Sequence, residues 1–255
     1  MKALANEIVA WLKAYAVNNG RKAFVVGVSG GVDSALVSTL CAMTGLPTYC
    51  VVLPCQSKAE HASSAGRHID WLQERYQNVI FKKIDLTETF EAFYDETKYD
   101  YADELAYANT KSRLRMIALY QIATPVQGLV VGTGNKVEDF GIGFFTKYGD
   151  GGVDISPIAD LLKSEVRQMC RDLGVLPELS EAVPTDGLWN DTRTDETQVG
   201  ATYNELEWAM KFSEDKFDPE ARLTARQQEV LNIYMKRHIS SRHKMDPIPT
   251  FKRKV

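Results

Sequence analysis

Between residues 24 and 43 an apolar, β-branched run turns into a glycine-rich loop and then into a helical pattern. Phe24, Val25, Val26 and Val28 read as a buried parallel strand. Ser29-Gly30-Gly31 follow, and the apolar spacing from Val32 to about Met43 is helical. Two glycines at such a turn let the backbone approach a ligand closely, because Gly has no Cβ and tolerates positive φ. The helix start behind them offers N–H groups without intrahelical acceptors and the positive end of the dipole. Ser29 and Ser34 add hydroxyls. Asp33 adds a carboxylate that an anion site disfavours unless a cation binds there too. The combination points to phosphate together with a metal.

Two common phosphate loops are excluded. No Lys follows the glycines, as the Gly-x4-Gly-Lys-Ser/Thr loop requires, and the third Gly of the dinucleotide fingerprint is missing. The segment resembles instead the Ser-Gly-Gly-x-Asp-Ser loop of the N-type ATP pyrophosphatases, which cleave ATP between its α and β phosphates. That resemblance implies an ATP site built from Gly27, Val28, Ser29, Gly30, Gly31, Val32, Asp33 and Ser34.

The rest of the chain fits such a scaffold. Residues 2–18 read as a helix with Leu4, Ile8, Trp11, Leu12 and Tyr15 on one stripe. Strands are expected at 23–28, 48–53, 79–84 and 128–131. Helices are expected at 32–44, 59–76, 86–94, 103–122, 161–173, 201–210 and 223–238. Alternating strands and helices imply an α/β, doubly wound, mostly parallel sheet flanked by helices, with a helical C-terminal part. In such sheets ligands lie at the carboxyl ends of the strands; residues 29–34, 53–56 and 132–138 fall there. Residues 141–157 carry five glycines among charges and read as a functional loop. Residues 181–198 read as a long irregular loop, and 241–255 as a basic tail.

A length of 255 residues suits a single domain over 1–255. Net charge is −4, so nothing points to a nucleic-acid or membrane surface, and any anionic ligand needs local donors. No apolar run reaches membrane-spanning length, and residues 1–13 lack a signal-peptide layout. Cys41, Cys50, Cys55 and Cys170 read as reduced core residues of a cytoplasmic protein. His61 and His68 read as surface or satisfied residues.

Further motifs narrow the family. Asn109-Thr110-Lys111-Ser112-Arg113-Leu114-Arg115-Met116, Gly132 to Glu138, and Phe145 to Asp154 resemble NAD synthetase, in order over residues 3–250. So do Lys163 after Pro157-Ile158, Pro184-Thr185, Asp195-Glu196-Thr197 and His243-Lys244. The resemblance implies a ligase with an adenine nucleotide alpha hydrolase-like fold. Its reaction adenylates the carboxylate of deamido-NAD with ATP, and ammonia then displaces AMP. It implies Mg2+ on Asp33 and Glu138, since hard oxygen ligands suit that ion. It places Lys163 and Thr185 on the ATP phosphates and Thr133 on adenosine. Arg113, Lys147, Asp150 and Asp154 fall around deamido-NAD, with Asp150 near the reacting carboxylate and ammonium. His243 and Lys244 match a tail segment that closes over the ATP site. A homodimer is implied, with the N-terminal helix at its interface and no glutaminase part.

The resemblance is incomplete at Leu53-Pro54-Cys55-Gln56. The family often carries an Arg there, and only Gln56 remains as a polar contact. Asp154 serves equally well as a cap. Lys111, Arg113 and Arg115 are expected to cluster beside the polyanion. Two competitors are an RNA-modifying or other amidating pyrophosphatase and a non-catalytic nucleotide-binding module. The first would need an appended domain. The second would not need Asp33, Glu138 and Lys163 together.

Overall fold

A computed structural model describes residues 1–56, 59–181, 194–214 and 222–253, without the side chains of 59–62. Four strands form a parallel sheet in the order β3-β2-β1-β4: β1 (Ala23–Gly27), β2 (Thr48–Val52), β3 (Val79–Lys83) and β4 (Gly128–Val130). Val25 lies opposite Tyr49 on one side and Val130 on the other. The chain steps outward from β1 to β2 and β3, then returns to the far side of β1. That reversal between β1 and β4 is a topological switch point, where an open parallel sheet leaves a crevice at its carboxyl edge.

Both faces of the sheet are covered. Phe24, Val26, Cys50 and Val52 pack with α1 (Lys2–Asn18), α2 (Val32–Met43), α3 (Ala59–Gln73), α6 (Lys163–Leu173) and the short α7 (Pro177–Ser180). Val25, Val51 and Val130, alternating with them, pack with α4 (Thr87–Thr97) and α5 (Glu104–Ala123). This explains why the strands read as continuous apolar runs rather than as alternating ones. A third cluster holds the C-terminal part together: α8 (Asp195–Val199), α9 (Tyr203–Glu214) and α10 (Ala225–Met245) pack on the segment from Lys136 to Ile142. Two of the long helices start on side-chain caps. Asp103 accepts from Ala106 N–H at the start of α5, and Thr224 and Gln227 cap α10 reciprocally.

Several expectations change. A π-helix over Lys136–Ile142, where no helix was expected, takes up the first two residues of the expected 141–157 loop, and residues 195–198 are helical, not irregular. Helix α10 runs on through Met245, so His243 and Lys244 sit on its last turn rather than in a tail. Two of the stripe residues on α1, Trp11 and Tyr15, are 45% and 37% exposed, outside the core that buries Leu12. All four cysteines are buried thiols rather than disulfides, and burial pushes the Cys50 thiol up to about 12. No described helix is long and apolar enough to cross a membrane.

Candidate active site

A cavity of about 980 Å³ opens at the carboxyl edge of β1 and β4. Its floor is the loop between β1 and α2, which is prefolded by its own hydroxyls. Ser34 Oγ donates to Gly31 carbonyl at 3.0 Å and accepts from Ser29 N–H at 3.2 Å; Gly31 N–H donates to Ser29 Oγ at 3.2 Å. Gly30 has φ +89°, a conformation that favours Gly. Helix α2 starts at Gly31 without a side-chain cap, so its first N–H groups face the cavity as anion donors.

Three segments remote in sequence meet above this floor. Lys163, the first residue of α6, is almost fully buried. Its ammonium donates to Asp33 Oδ2 at 2.6 Å and to Glu138 Oε1 at 2.9 Å. A cation at a helix N-terminus opposes the dipole; the two carboxylates offset that cost and the cost of burial. Asn135, wholly buried, links the same groups. Its amide donates to Asp33 Oδ1 at 3.1 Å, and its oxygen accepts from Glu138 N–H at 3.2 Å. Tyr203 donates a hydrogen bond to Glu138 Oε1.

Two carboxylates share one lysine, and their ionisation divides accordingly. Burial raises Asp33, and Lys163 only partly offsets it. Burial also acts on Glu138, but the Lys163 charge and the hydrogen bonds from Tyr203 and Lys163 outweigh it and hold that carboxyl low. Burial alone would lower Lys163; Asp33 and Glu138 reverse this and keep it charged. Asp139, beside Glu138, is pushed well up by burial and by the neighbouring carboxylates. Its carboxyl lies over Gly134, where a Cβ would come within 1.9 Å of Oδ2.

The opposite wall is the glycine-rich segment 143–153, held between α5 and α10. Asp150 Oδ1 accepts from Ser112 Oγ at 2.7 Å and from Thr146 N–H at 2.9 Å. Protein surrounds Asp150 although it faces the cavity. Its side chain stays open to solvent within the cavity, and the protein around it raises its carboxyl, against the lowering by Ser112 and Thr146. Lys244 donates to the carbonyls of Gly143 and, at 2.7 Å, Phe145; Lys147 donates to His243 carbonyl at 3.0 Å. Arg113 reaches Lys147 carbonyl at 3.3 Å.

The residues from Gly27 to Ser34 line the cavity, as do Arg113, Thr133, Glu138, Lys147, Asp150, Lys163, His243 and Lys244. Thr185 lies outside the described residues. Gln56 stands apart: it is exposed and donates to Glu91 Oε1 at 3.3 Å. Asp154 also turns elsewhere, accepting from Val130 N–H at 2.8 Å and Tyr120 hydroxyl at 3.0 Å, which closes the edge of β4. The expected basic cluster divides. Arg113 and Arg115 line the cavity, whereas Lys111 is buried with its ammonium 4.9 Å from the Phe90 ring. Asn135, Asp139 and Tyr203 were not singled out by sequence. Asn135 lies within a recognised motif, but Tyr203 carries no local signal that separates it from a packing aromatic.

Comparison with known proteins agrees with this geometry. The NAD synthase family model matches residues 4–248. The NH(3)-dependent NAD(+) synthetase of Alkaliphilus metalliredigens is 39% identical over 95% of this chain and 96% of its own. That of Methanosarcina mazei is 35% identical over 96% of each. Among solved structures, the NMN synthetase from Francisella tularensis superposes with a TM-score of 0.85 at 32% identity, covering 98% of this chain and 97% of its own. The NH3-dependent NAD synthetase from Campylobacter jejuni, at 23% identity and a TM-score of 0.80 over 98% and 99% of the two chains, shares the fold.

Proposed function

This chain belongs to the NAD synthase family, and from that premise we infer how its cavity carries the reaction. The chain catalyses ATP-dependent amidation of deamido-NAD with ammonia, giving NAD, AMP and pyrophosphate. First, a nicotinate carboxylate oxygen attacks the α-phosphorus of ATP, and the bond to the bridging oxygen of pyrophosphate breaks. Ammonia then attacks the acyl carbon of the adenylate. The C–O bond to AMP breaks, and one ammonia proton passes to a base.

The convergence of Asp33, Lys163 and Glu138 above the uncapped start of α2 carries this reading. Ser29, Gly30, Gly31 and Ser34 cradle the leaving pyrophosphate through N–H and hydroxyl donors, and Gly27, Val28 and Val32 hold that loop's backbone in place. Lys163 stabilises charge developing at the α-phosphorus. Thr133 lies on the adenosine side. Arg113 and Lys147 hold deamido-NAD, while His243 and Lys244 close the wall beside the ATP site. Asp150, fixed by Ser112 and Thr146, receives and orients ammonium and takes the proton whose loss gives the attacking ammonia.

The residues present fit a magnesium ion. Lys163 already holds a positive charge between Asp33 and Glu138, so this pair is built around a cation. Among the described residues no group of three or more His, Cys, Asp or Glu could hold a metal. Two carboxylates completed by substrate phosphates and water is the usual manner of Mg2+. When bound, the ion neutralises phosphate charge as the two polyanions meet.

A homodimer is part of this reading. Trp11 and Tyr15 on α1, and Leu105 and Ile117 on α5, are exposed apolar groups that a second copy would cover. A cytoplasmic location accompanies it, with ATP and ammonium at hand. The likeness to an NMN synthetase favours a second reading, in which nicotinate mononucleotide replaces the dinucleotide in the same chemistry. Purified protein given ATP, Mg2+ and ammonium with either substrate tests both. Equimolar NAD, AMP and pyrophosphate from deamido-NAD supports the first; a higher kcat/KM for the mononucleotide supports the second. AMP release with neither substrate amidated overturns both.

A further inference from the structure

Tyr203 opens α9, whose other buried residues, Leu206, Ala209 and Met210, pack into the C-terminal helical cluster. Its own tip leaves that cluster and enters the active site. The phenol donates to Glu138 Oε1 and lies 3.4 Å from Asp195 Oδ2. The ring presents its face to Lys163, 4.7 Å from the ammonium. A packing tyrosine needs neither contact. Here a single side chain touches both the carboxylate and the lysine on which the chemistry depends, and it is 5% exposed, so these contacts are made away from bulk water. Lys163 and Tyr203 both donate to Glu138 Oε1, which together fix the rotation of that carboxylate.

Lys163 cannot keep both carboxylates once a divalent cation takes its place between them. The hydroxyl of Tyr203 is then the donor that stays on Glu138, and its ring face is a ready resting place for the displaced ammonium. We propose that Tyr203 is a positioning residue that aims Glu138 at the metal and keeps Lys163 beside the phosphates. Because α9 belongs to the C-terminal cluster, Tyr203 also ties that part of the chain to the metal site. The inference rests on the reading of Glu138 as a magnesium ligand.

Tyr203→Phe keeps the ring and removes the proton. The Mg2+ concentration for half-maximal NAD formation should rise roughly tenfold, the order expected for a hydrogen bond to a charged group, with kcat at saturating Mg2+ little changed. The Mg2+ dependence of ATP binding, measured by calorimetry without turnover, should shift by the same factor. Tyr203→Leu, which also removes the ring face, should lose kcat at every Mg2+ concentration. A Tyr203→Phe protein with wild-type Mg2+ dependence in both measurements, and only a lower Tm, would overturn the proposal. Glu138→Gln separates the two levels: if it leaves Mg2+ dependence unchanged, the magnesium reading itself fails.

Discussion

Lys163 stands where a divalent cation would sit, between Asp33 and Glu138, and substitutions there separate its two roles. Lys163→Ala leaves two partly buried carboxylates without a counter-charge, which costs about 3 kcal/mol. Its Tm in EDTA should fall by several degrees and recover with millimolar Mg2+, while NAD formation stays lost. A Tm that ignores Mg2+ would contradict the stand-in role. Asp33→Asn keeps the shape and the Asn135 contact but removes a charge; it should cut kcat by a factor of about 10² or more with little change in Tm. Asp33 lies in the first turn of α2 and is paired from two sides. These two residues were legible in sequence because each sits in a local motif. Tyr203 and Asn135 were not legible as site residues. Their roles arise only when positions 65 and 102 apart in sequence close on one another, and no local spacing encodes that closure.

At the level of elements, the segment 143–153 works by lying flat against α5. A Cβ at Gly149 would come within 2.3 Å of Ser112 Oγ, the hydroxyl that fixes Asp150. Gly149→Ala therefore pushes the segment off the helix. We expect kcat to fall on the order of tenfold to a hundredfold and KM for ammonium to rise, with KM for ATP less affected. An unchanged ammonium KM, read from initial rates at saturating ATP, would argue against the placement of Asp150. The strands and long helices were readable because hydrophobic period and caps agree with tertiary packing, as at Asp103 and Thr224. The π-helix at 136–142 was not, since its apolar spacing matches neither common period and its local glycine suggests a loop. The end of α10 was also missed. Its basic last turn reads as a tail, but Lys244 is bound into the wall by two carbonyls, Gly143 and Phe145. Lys111 misled for a similar reason: on a helix, two positions from Arg113, it faces the Phe90 side.

Across the whole molecule, pH stability should report the sheet's covering layer as well as the site. His68 is buried between α2 and α3, with Nε2 2.9 Å from Ser38 Oγ. Burial pushes it down from 6.5 to about 4, so the folded state stays neutral where the unfolded chain takes a proton. Its stabilising effect is therefore complete above about pH 6.5 and is lost as pH falls towards 4, on the order of 3 kcal/mol. His68→Gln should flatten the fall of Tm across that window; an unaltered slope would place the acid sensitivity elsewhere. In the proposed reaction both nucleotides meet over the loop from Gly27 to Ser34, and the carboxylate oxygen attacks phosphorus. The most direct measurement follows that oxygen, using deamido-NAD labelled with 18O in its nicotinate carboxylate and mass spectrometry of the products. One 18O in the phosphate of AMP, with unlabelled pyrophosphate, is the predicted result. Unlabelled AMP formed alongside NAD would contradict it.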